Sequence, residues 1–237
     1  MVDGVETRAA VESLARGQTR RRLVALVQLS EILVQRFPST IGSGTRGGSL
    51  ENMRTQIADH VCAVESLIAH VPLLERIADR IIDCFDRGGR LYLLGNGGSA
   101  ADAQHIAAEL VGRFKADRKP LPAVALTTDT SNLTAIGNDL GFDRVFARQV
   151  EALVTGVDVV WALSVSGRSP NVLAACEAAR HGGACIIGFS GRNGDPLEAL
   201  TDLCFRADHD QSDRVQEVHL LAYHLVCERI ERHYLAG

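Results

Sequence analysis

The sequence predicts a doubly wound α/β domain, in which helices cover both faces of a parallel sheet. Short apolar runs alternate with segments of helical periodicity from residue 51 to the C-terminus. The runs are apolar throughout, as in strands that are buried on both faces of a sheet. Glycine-rich or serine-rich turns separate two of these runs from the helices that follow them. We therefore expect a five-stranded parallel sheet flanked by helices, preceded by an N-terminal extension.

Residues 1–49 are predicted to form the extension, which is partly helical or disordered. Apolar residues at helical spacing predict a helix over residues 5–37, and the Gly/Ser/Thr-rich stretch over residues 38–49 predicts a linker. A passive tail and a partner-binding or oligomerisation helix are both compatible with this pattern, and we prefer the passive tail. The main domain is expected over residues 50–237.

The main domain begins with two predicted helices, over residues 51–70 and 72–87. Pro72 suits the first turn of the second helix, and Gly88-Gly89 suits its end. Strands and helices then alternate. The predicted strands are residues 90–94, 122–127, 158–163, 184–189 and 203–206, and the predicted helices are residues 99–113, 143–154, 169–181 and 211–234.

The composition excludes several classes of protein. Hydrophobic residues make up 46% of the 237 residues and charged residues 23%, which permits a sizeable core. The net charge of −4 argues against a nucleic-acid partner. No unbroken apolar stretch approaches the roughly 20 residues of a membrane span. The six cysteines lie far apart in the chain, which predicts reduced thiols and a cytoplasmic location.

The turn Gly95-Asn96-Gly97-Gly98-Ser99 joins the first predicted strand to a helix. Glycines allow a ligand to approach the backbone, and the helix start offers free N–H groups, with Ser99 as the expected N-cap. A dinucleotide site would need an acidic residue at the end of the second strand, and Asp117 precedes that strand. The P-loop ending Lys-Ser/Thr is also missing, so we expect no nucleotide cofactor.

A second turn, from Ser164 to Pro170, follows the third predicted strand. Several hydroxyl and amide groups lie at the start of the next helix, where Ser169 suits the N-cap and Pro170 the first helical position. Hydroxyl and amide donors at a helix start suit a phosphate monoester without a metal ion. In a doubly wound fold both turns belong to the ligand-binding edge of the sheet.

Candidate proton-transfer residues lie on two predicted helices. His105 and Glu109 are four residues apart and share a helix face, while Gln216 and His224 lie on the last helix, about 80° apart around its axis. His219 lies between them and competes for the same role. A His, a Glu and a second His can bind a metal ion or serve as general acid and base, although such a pair is also common on protein surfaces.

Several of these segments together resemble a known family. The sequence is similar to the sugar-isomerase (SIS) domain of phosphoheptose isomerases over about residues 52–235. The matching segments are Gly95–Ser99, Asp102–His105, Ala108–Leu110, Gly137–Asp139, Ser164–Ser169, Arg214–Glu217, His219 and His224.

The resemblance implies the interconversion of sedoheptulose 7-phosphate and D-glycero-D-manno-heptose 7-phosphate. It implies a cytoplasmic homotetramer with active sites between subunits, and Glu109 and His224 as the acid/base pair that acts through an enediol. It implies zinc ligands at His105, Glu109, Gln216 and His224. The implied substrate contacts are Asn96, Gly97, Gly98, Glu109, Asn138, Asp139, Ser164, Val165, Ser166, Ser169 and Gln216.

Two other functions are compatible with the resemblance. Some SIS proteins are not enzymes and bind a replication-initiator protein, but these lack the acid/base pair. Other SIS proteins isomerise or sense a different sugar phosphate, such as an amino-sugar phosphate. Val165 stands where the family usually has threonine, which removes one hydroxyl but keeps the backbone donors.

Overall fold

The computed structural model of the chain describes residues 47–236. Most of the predicted extension, including the helix over residues 5–37, lies outside the described residues, so the division of the chain at residue 49 stays a prediction. The sheet and every candidate residue belong to one compact unit, Asn52–Gly237.

Five parallel strands form one sheet in the order β2-β1-β3-β4-β5, which confirms the predicted fold class. Every residue of β1 and β3 is buried, which explains why these runs are apolar throughout. The strand order reverses between β1 and β3, so this is the switch point of the sheet. The strands are β1 (Leu91–Gly95), β2 (Ala123–Ala125), β3 (Val159–Leu163), β4 (Cys185–Gly191) and β5 (Leu203–Ala207).

Helices cover both faces of the sheet. Leu91 and Leu93 of β1 pack into a core with the second, third and last helices, while Tyr92 and Leu94 face the opposite core. Two 3-10 turns, Leu67–His70 and Phe142–Arg144, join helices. The helices are α1 (Gly47–Ser66), α2 (Val71–Asp86), α3 (Gly98–Val111), α4 (Thr130–Asp139), α5 (Ala147–Leu153), α6 (Pro170–His181), α7 (Asp195–Glu198) and α8 (Ser212–Leu235).

Helix α4 is not predicted from the periodicity, because none of its residues is fully buried and only Leu133 and Ile136 pack against the core. Its start is capped locally: the Asp129 side chain accepts a hydrogen bond from the Asn132 N–H at 3.0 Å. The short α7 is also absent from the prediction. The helix predicted over residues 143–154 is divided into the 3-10 turn Phe142–Arg144 and α5.

The predicted helix ends are partly correct. Gly88 has φ +80° just after α2, as expected for a glycine that ends a helix. Ser169 and Pro170 stand at the N-cap and first turn of α6 as predicted. The prediction that Ser99 caps α3 is wrong, because α3 begins at Gly98 and Gly97 is its N-cap, with φ +56°.

One continuous helical stretch among the described residues, Asn52–Asp86, is long and apolar enough to cross a membrane. It consists of most of α1, a 3-10 turn and α2. The apolar face of α2 is buried in the core of the domain at Leu74, Ile77 and Ile81. The place of α2 under the sheet accounts for its own apolar residues, and only 17% of the apolar 18-residue part of the stretch is buried.

Candidate active site

A pocket of about 240 Å³ lies at the switch point of the sheet. β1 and β3 end side by side, with Gly95 paired to Leu163, so the two predicted turns begin next to each other. Six of the predicted substrate contacts line this serine pocket. Its lining residues are Asn96, Ser99, Leu163, Ser164, Val165, Ser166, Ser169, Ser212 and Gln216.

The serine turn is held by its own hydrogen bonds. The Gly167 N–H donates to the Ser164 carbonyl at 2.9 Å, and the Ser164 hydroxyl donates to the Ser169 Oγ at 3.2 Å. Ser166 Oγ accepts from the Arg168 N–H at 3.2 Å. Gly167 has φ +63°, and a Cβ there would lie 2.5 Å from the Gly194 Cα. Only glycine fits at position 167, because any side chain there would collide with Gly194. The backbone of the turn therefore sets the positions of the Ser164, Ser166 and Ser169 hydroxyls.

The glycine turn lies against the serine turn. The Asn96 side-chain amide donates to the Asn171 Oδ1 at 2.8 Å, and the Asn171 amide donates back to the Asn96 Oδ1 at 2.8 Å. Asn171 is buried, and no sequence pattern predicted this pairing. A Cβ at Gly98 would lie 2.6 Å from the Gln216 Nε2. The amide of Gln216 on α8 therefore lies directly against the glycine turn.

Three helices begin at the serine pocket. Ser99 lies in the first turn of α3, Ser169 is the N-cap of α6, and Ser212 is the first residue of α8. Helix starts carry unpaired N–H groups and the positive end of the helix dipole, so the pocket suits a compact anion. Ser99 and Ser212 are not among the predicted contacts. Each is a serine at a helix start, which is the signal that could have found them.

His105, Glu109 and His224 come together one or more turns further along α3 and α8. Their candidate ligand atoms all lie within 4.8 Å of one another. The His105 Nε2 is 2.8 Å from the Glu109 Oε1, and the rings of His105 and His224 are 5.1 Å apart. We call this group the His–Glu cluster. Gln216, the fourth predicted metal ligand, lines the serine pocket.

The surroundings of His224 favour its neutral form. Burial lowers the pKa of His224, and the nearby His105 lowers it further, against the opposing effect of Glu109. The Phe114 ring covers one side of the imidazole at 5.4 Å between centroids. A neutral imidazole can accept a proton or bind a metal ion.

Two residues that the sequence did not indicate contact the cluster from within the core. The Tyr223 hydroxyl donates to the Asp102 Oδ1 at 3.3 Å and lies 3.0 Å from the His105 Nδ1. Burial raises the pKa of Asp102, although Tyr223 and His105 oppose this. Burial, followed by Asp102, raises the pKa of Tyr223 far above its usual range. Asp102 lies three residues before His105 on the same helix face, which is a signal that could have found it, whereas the spacing of Tyr223 carries no such signal.

Other candidate residues lie elsewhere. His219 is fully buried between Phe189 and Phe205, with its Nε2 3.0 Å from the Ser190 carbonyl, so it does not join the His–Glu cluster. Asn138 and Asp139 are exposed at the end of α4, where the Asn138 amide donates to Asp139 at 2.7 Å. These two predicted substrate contacts do not line the serine pocket.

The serine pocket and the His–Glu cluster are connected by two helices. At 1.5 Å per residue, α3 rises about 9 Å from Ser99 to His105, and α8 rises about 18 Å from Ser212 to His224. Both α3 and α8 therefore run from the serine pocket to the His–Glu cluster.

The comparisons with known proteins agree with this architecture. The model of the SIS domain family matches residues 62–191. A phosphoheptose isomerase of a Roseiflexus species is 55% identical over 161 residues, which cover 68% of this chain and 82% of that relative. The chain belongs to the phosphoheptose isomerase family.

Further members of the family match over most of their length. The phosphoheptose isomerase of Pelobacter propionicus is 45% identical over 184 residues, covering 77% of this chain and 97% of that protein. The solved structure of the Neisseria gonorrhoeae phosphoheptose isomerase has a TM-score of 0.73 and 40% identity, covering 77% of this chain and 98% of its own. The predicted family is thus confirmed, and the chain is an enzyme of the isomerase class.

Proposed function

We propose that this chain interconverts sedoheptulose 7-phosphate and D-glycero-D-manno-heptose 7-phosphate by proton transfer through an enediol. One observation carries the proposal: α3 and α8 each contribute to the serine pocket and to the His–Glu cluster. A sugar phosphate needs both an anion site and, at its other end, groups that move protons. A non-catalytic SIS protein would have no need of the second.

The phosphate group is proposed to bind in the serine pocket. The hydroxyls and backbone N–H groups of the turn from Ser164 to Ser169, together with three helix starts, support this assignment. Val165 contributes backbone only. The proposed contacts along the sugar are Asn96, Gly97, Gly98, Glu109, Asn138, Asp139 and Gln216.

The isomerisation is proposed to use Glu109 and His224. In the ketose-to-aldose direction a carboxylate removes the proton from C1, and the carbonyl oxygen at C2 gains a proton, which gives the enediol. The proton then returns to C2 while the C1 hydroxyl loses its own and becomes the new carbonyl, so no atom is gained or lost overall. Glu109 suits the transfers at carbon and His224 those at oxygen, because the lowered pKa of His224 keeps a neutral imidazole available near neutral pH.

The donors of the His–Glu cluster also fit a zinc ion. Two imidazoles and a carboxylate within 4.8 Å of one another are a common zinc ligand set. We propose His105, Glu109 and His224 as ligands, one ion per subunit; Gln216, which the resemblance implies as a fourth ligand, lies against Gly98 at the serine pocket. When bound, such an ion polarises the oxygens of the substrate.

The protein is further proposed to be a cytoplasmic homotetramer with its active sites between subunits. Met53, Ile57 and Val61 are exposed at four-residue spacing on one face of α1. Such an apolar stripe supports contact with another subunit. The six cysteines are free thiols, which suits a reducing compartment.

The activity is tested with the purified full chain and sedoheptulose 7-phosphate, with and without a chelator, by following the aldose product. We expect turnover of this substrate and much weaker turnover of a hexosamine 6-phosphate. Turnover of the amino-sugar phosphate alone would show that the chain acts on another sugar phosphate. No turnover of either substrate, with added zinc, would contradict the proposal.

A further inference from the structure

The hydrogen bonds of His105 lead away from the His–Glu cluster to a buried pair of residues. The phenolic oxygen of Tyr223 lies 3.0 Å from the His105 Nδ1, and its hydroxyl donates to the Asp102 Oδ1 at 3.3 Å. Tyr223 is completely buried. The second carboxylate oxygen of Asp102 is also buried, and it has no hydrogen-bond partner among the described residues. Among the described residues, the Asp102 carboxylate therefore has its side-chain hydrogen bond with Tyr223.

The direction of these bonds follows from counting protons. A carboxylate only accepts, and a phenol has one proton, so that proton is donated to Asp102. With that proton donated to Asp102, the Tyr223 oxygen accepts from His105 in the tautomer that carries its proton on Nδ1. A neutral imidazole with its proton on Nδ1 carries a lone pair on Nε2.

This lone pair faces an acceptor. The His105 Nε2 lies 2.8 Å from the Glu109 Oε1, which is hydrogen-bonding distance. Two acceptors at this separation repel each other unless a cation or a proton lies between them. The Asp102–Tyr223 pair therefore prepares His105 and Glu109 to share a cation.

We propose that Asp102 and Tyr223 are positioning residues that hold His105 in the tautomer whose Nε2 binds a metal ion. The inference rests on the proposed function, because it takes the His–Glu cluster as the metal group. Histidine ligands commonly donate their second nitrogen to a carboxylate or a carbonyl oxygen. Here a tyrosine stands between the imidazole and the carboxylate, and the Asp102 charge acts on His105 through it.

Two variants isolate the hydroxyl of Tyr223. Tyr223→Phe keeps the ring, which makes edge contacts with His105 at 5.6 Å and with His224 at 4.8 Å, and removes only the oxygen. Tyr92→Phe is the matched control. Tyr92 is also buried, and its hydroxyl donates to the Leu153 carbonyl at 3.2 Å in the core on the other face of the sheet.

The experiment titrates zinc chloride into the chelator-stripped full chain by calorimetry. We expect Tyr223→Phe to weaken zinc binding by about 10- to 100-fold and Tyr92→Phe to leave it within about 2-fold of the parent chain. We expect Asp102→Asn to weaken it as well, because an amide can donate to the phenol and so reverse the direction of both bonds. Thermal unfolding without metal shows that each variant is folded.

The outcomes are separable from those of the proposed function. Unchanged zinc affinity in Tyr223→Phe would overturn the inference, and so would a parent chain that binds no zinc. Turnover of sedoheptulose 7-phosphate by the parent chain is measured in parallel. Absence of turnover together with weakened zinc binding in Tyr223→Phe would contradict the proposed function and leave the role of Tyr223 standing.

Discussion

The serine pocket and the His–Glu cluster share two helices but are built differently. The pocket consists of backbone and small side chains in two short turns, and Asn96 and Asn171 bind these turns to each other. The cluster consists of three side chains from α3 and α8, which are far apart in the sequence. A site with many backbone donors keeps most of its affinity when one side chain is removed. A reaction that depends on a single carboxylate loses most of its rate when that carboxylate is removed.

The largest expected effect is at the cluster. Glu109→Gln should lower kcat by about 10²- to 10⁴-fold, because it removes a proton-transfer group and keeps the shape of the side chain. Steady-state kinetics with sedoheptulose 7-phosphate measure this. Glu75→Gln, at an exposed carboxylate on α2, should match the parent chain. An active Glu109→Gln variant would remove Glu109 from the mechanism.

His219 connects α8 to the serine turn by way of β4. It joins α8 to the Ser190 carbonyl, and the next residue, Gly191, donates to the Val165 carbonyl of the serine turn at 2.8 Å. Burial lowers the pKa of His219 from 6.5 to about 4, so the unfolded chain binds this proton more readily. The neutral side chain thus contributes stability above pH 6.5, which is lost as the pH falls toward 4 and amounts to about 3 kcal/mol.

Denaturant unfolding at pH 7.5 and pH 4.5 measures this contribution. His219→Gln retains an N–H donor but does not titrate, so its free energy of unfolding should fall less between the two pH values than that of the parent chain. His181→Gln, at an exposed histidine, serves as the control. An equal fall in the parent chain and in His219→Gln would show that protonation of His219 does not destabilise the fold.

Glu231 binds the backbone of residues 114–116, in the loop after α3 whose Phe114 ring packs on His224. Its buried carboxylate accepts N–H bonds from Phe114 at 2.9 Å, Lys115 at 2.8 Å and Ala116 at 3.1 Å. Burial acts to raise the pKa of Glu231, but these donors and Arg118 bring it below its usual value. Glu231→Gln should cost about 2 kcal/mol of stability, because charge-assisted bonds are lost in a buried site.

The measurement for Glu231 is the free energy of unfolding at neutral pH. Glu228→Gln is the matched control on the same helix, since Glu228 makes an ion pair with Lys115 at the surface and should contribute less than about 1 kcal/mol. Equal losses in the two variants would show that the loop does not depend on the buried carboxylate.

The smallest expected effect is in the pocket. Ser166→Ala should raise KM about 10-fold and leave kcat nearly unchanged, since one hydrogen bond to a charged group contributes about 1.5 kcal/mol. Ser66→Ala on α1 removes a hydroxyl that donates to the Ala63 carbonyl and should leave both constants unchanged. A large fall in kcat for Ser166→Ala would break the distinction between a binding region and a reactive region.

The parts predicted correctly depend on neighbours in the chain. The apolar runs of the strands and the start of α6 at Ser169-Pro170 can be predicted from residues that are adjacent in the chain. Ser99 was misplaced because Gly97, with φ +56°, could begin the helix earlier. Helix α4 was missed because it is short and places only Leu133 and Ile136 against the core, while the Asp129 side chain caps its start.

The sequence by itself determined the doubly wound fold and the glycine-rich and serine-rich turns at the ends of β1 and β3. Only the tertiary structure decided that His105, Glu109 and His224 lie close together. The tertiary structure likewise decided that Asn171 hydrogen-bonds to Asn96 between the two turns, and that Tyr223 lies between His105 and Asp102. It also decided that His219 is a core residue. The physical reason is that turns and caps obey local backbone geometry, whereas contacts between α3 and α8 depend on how both helices pack against the sheet.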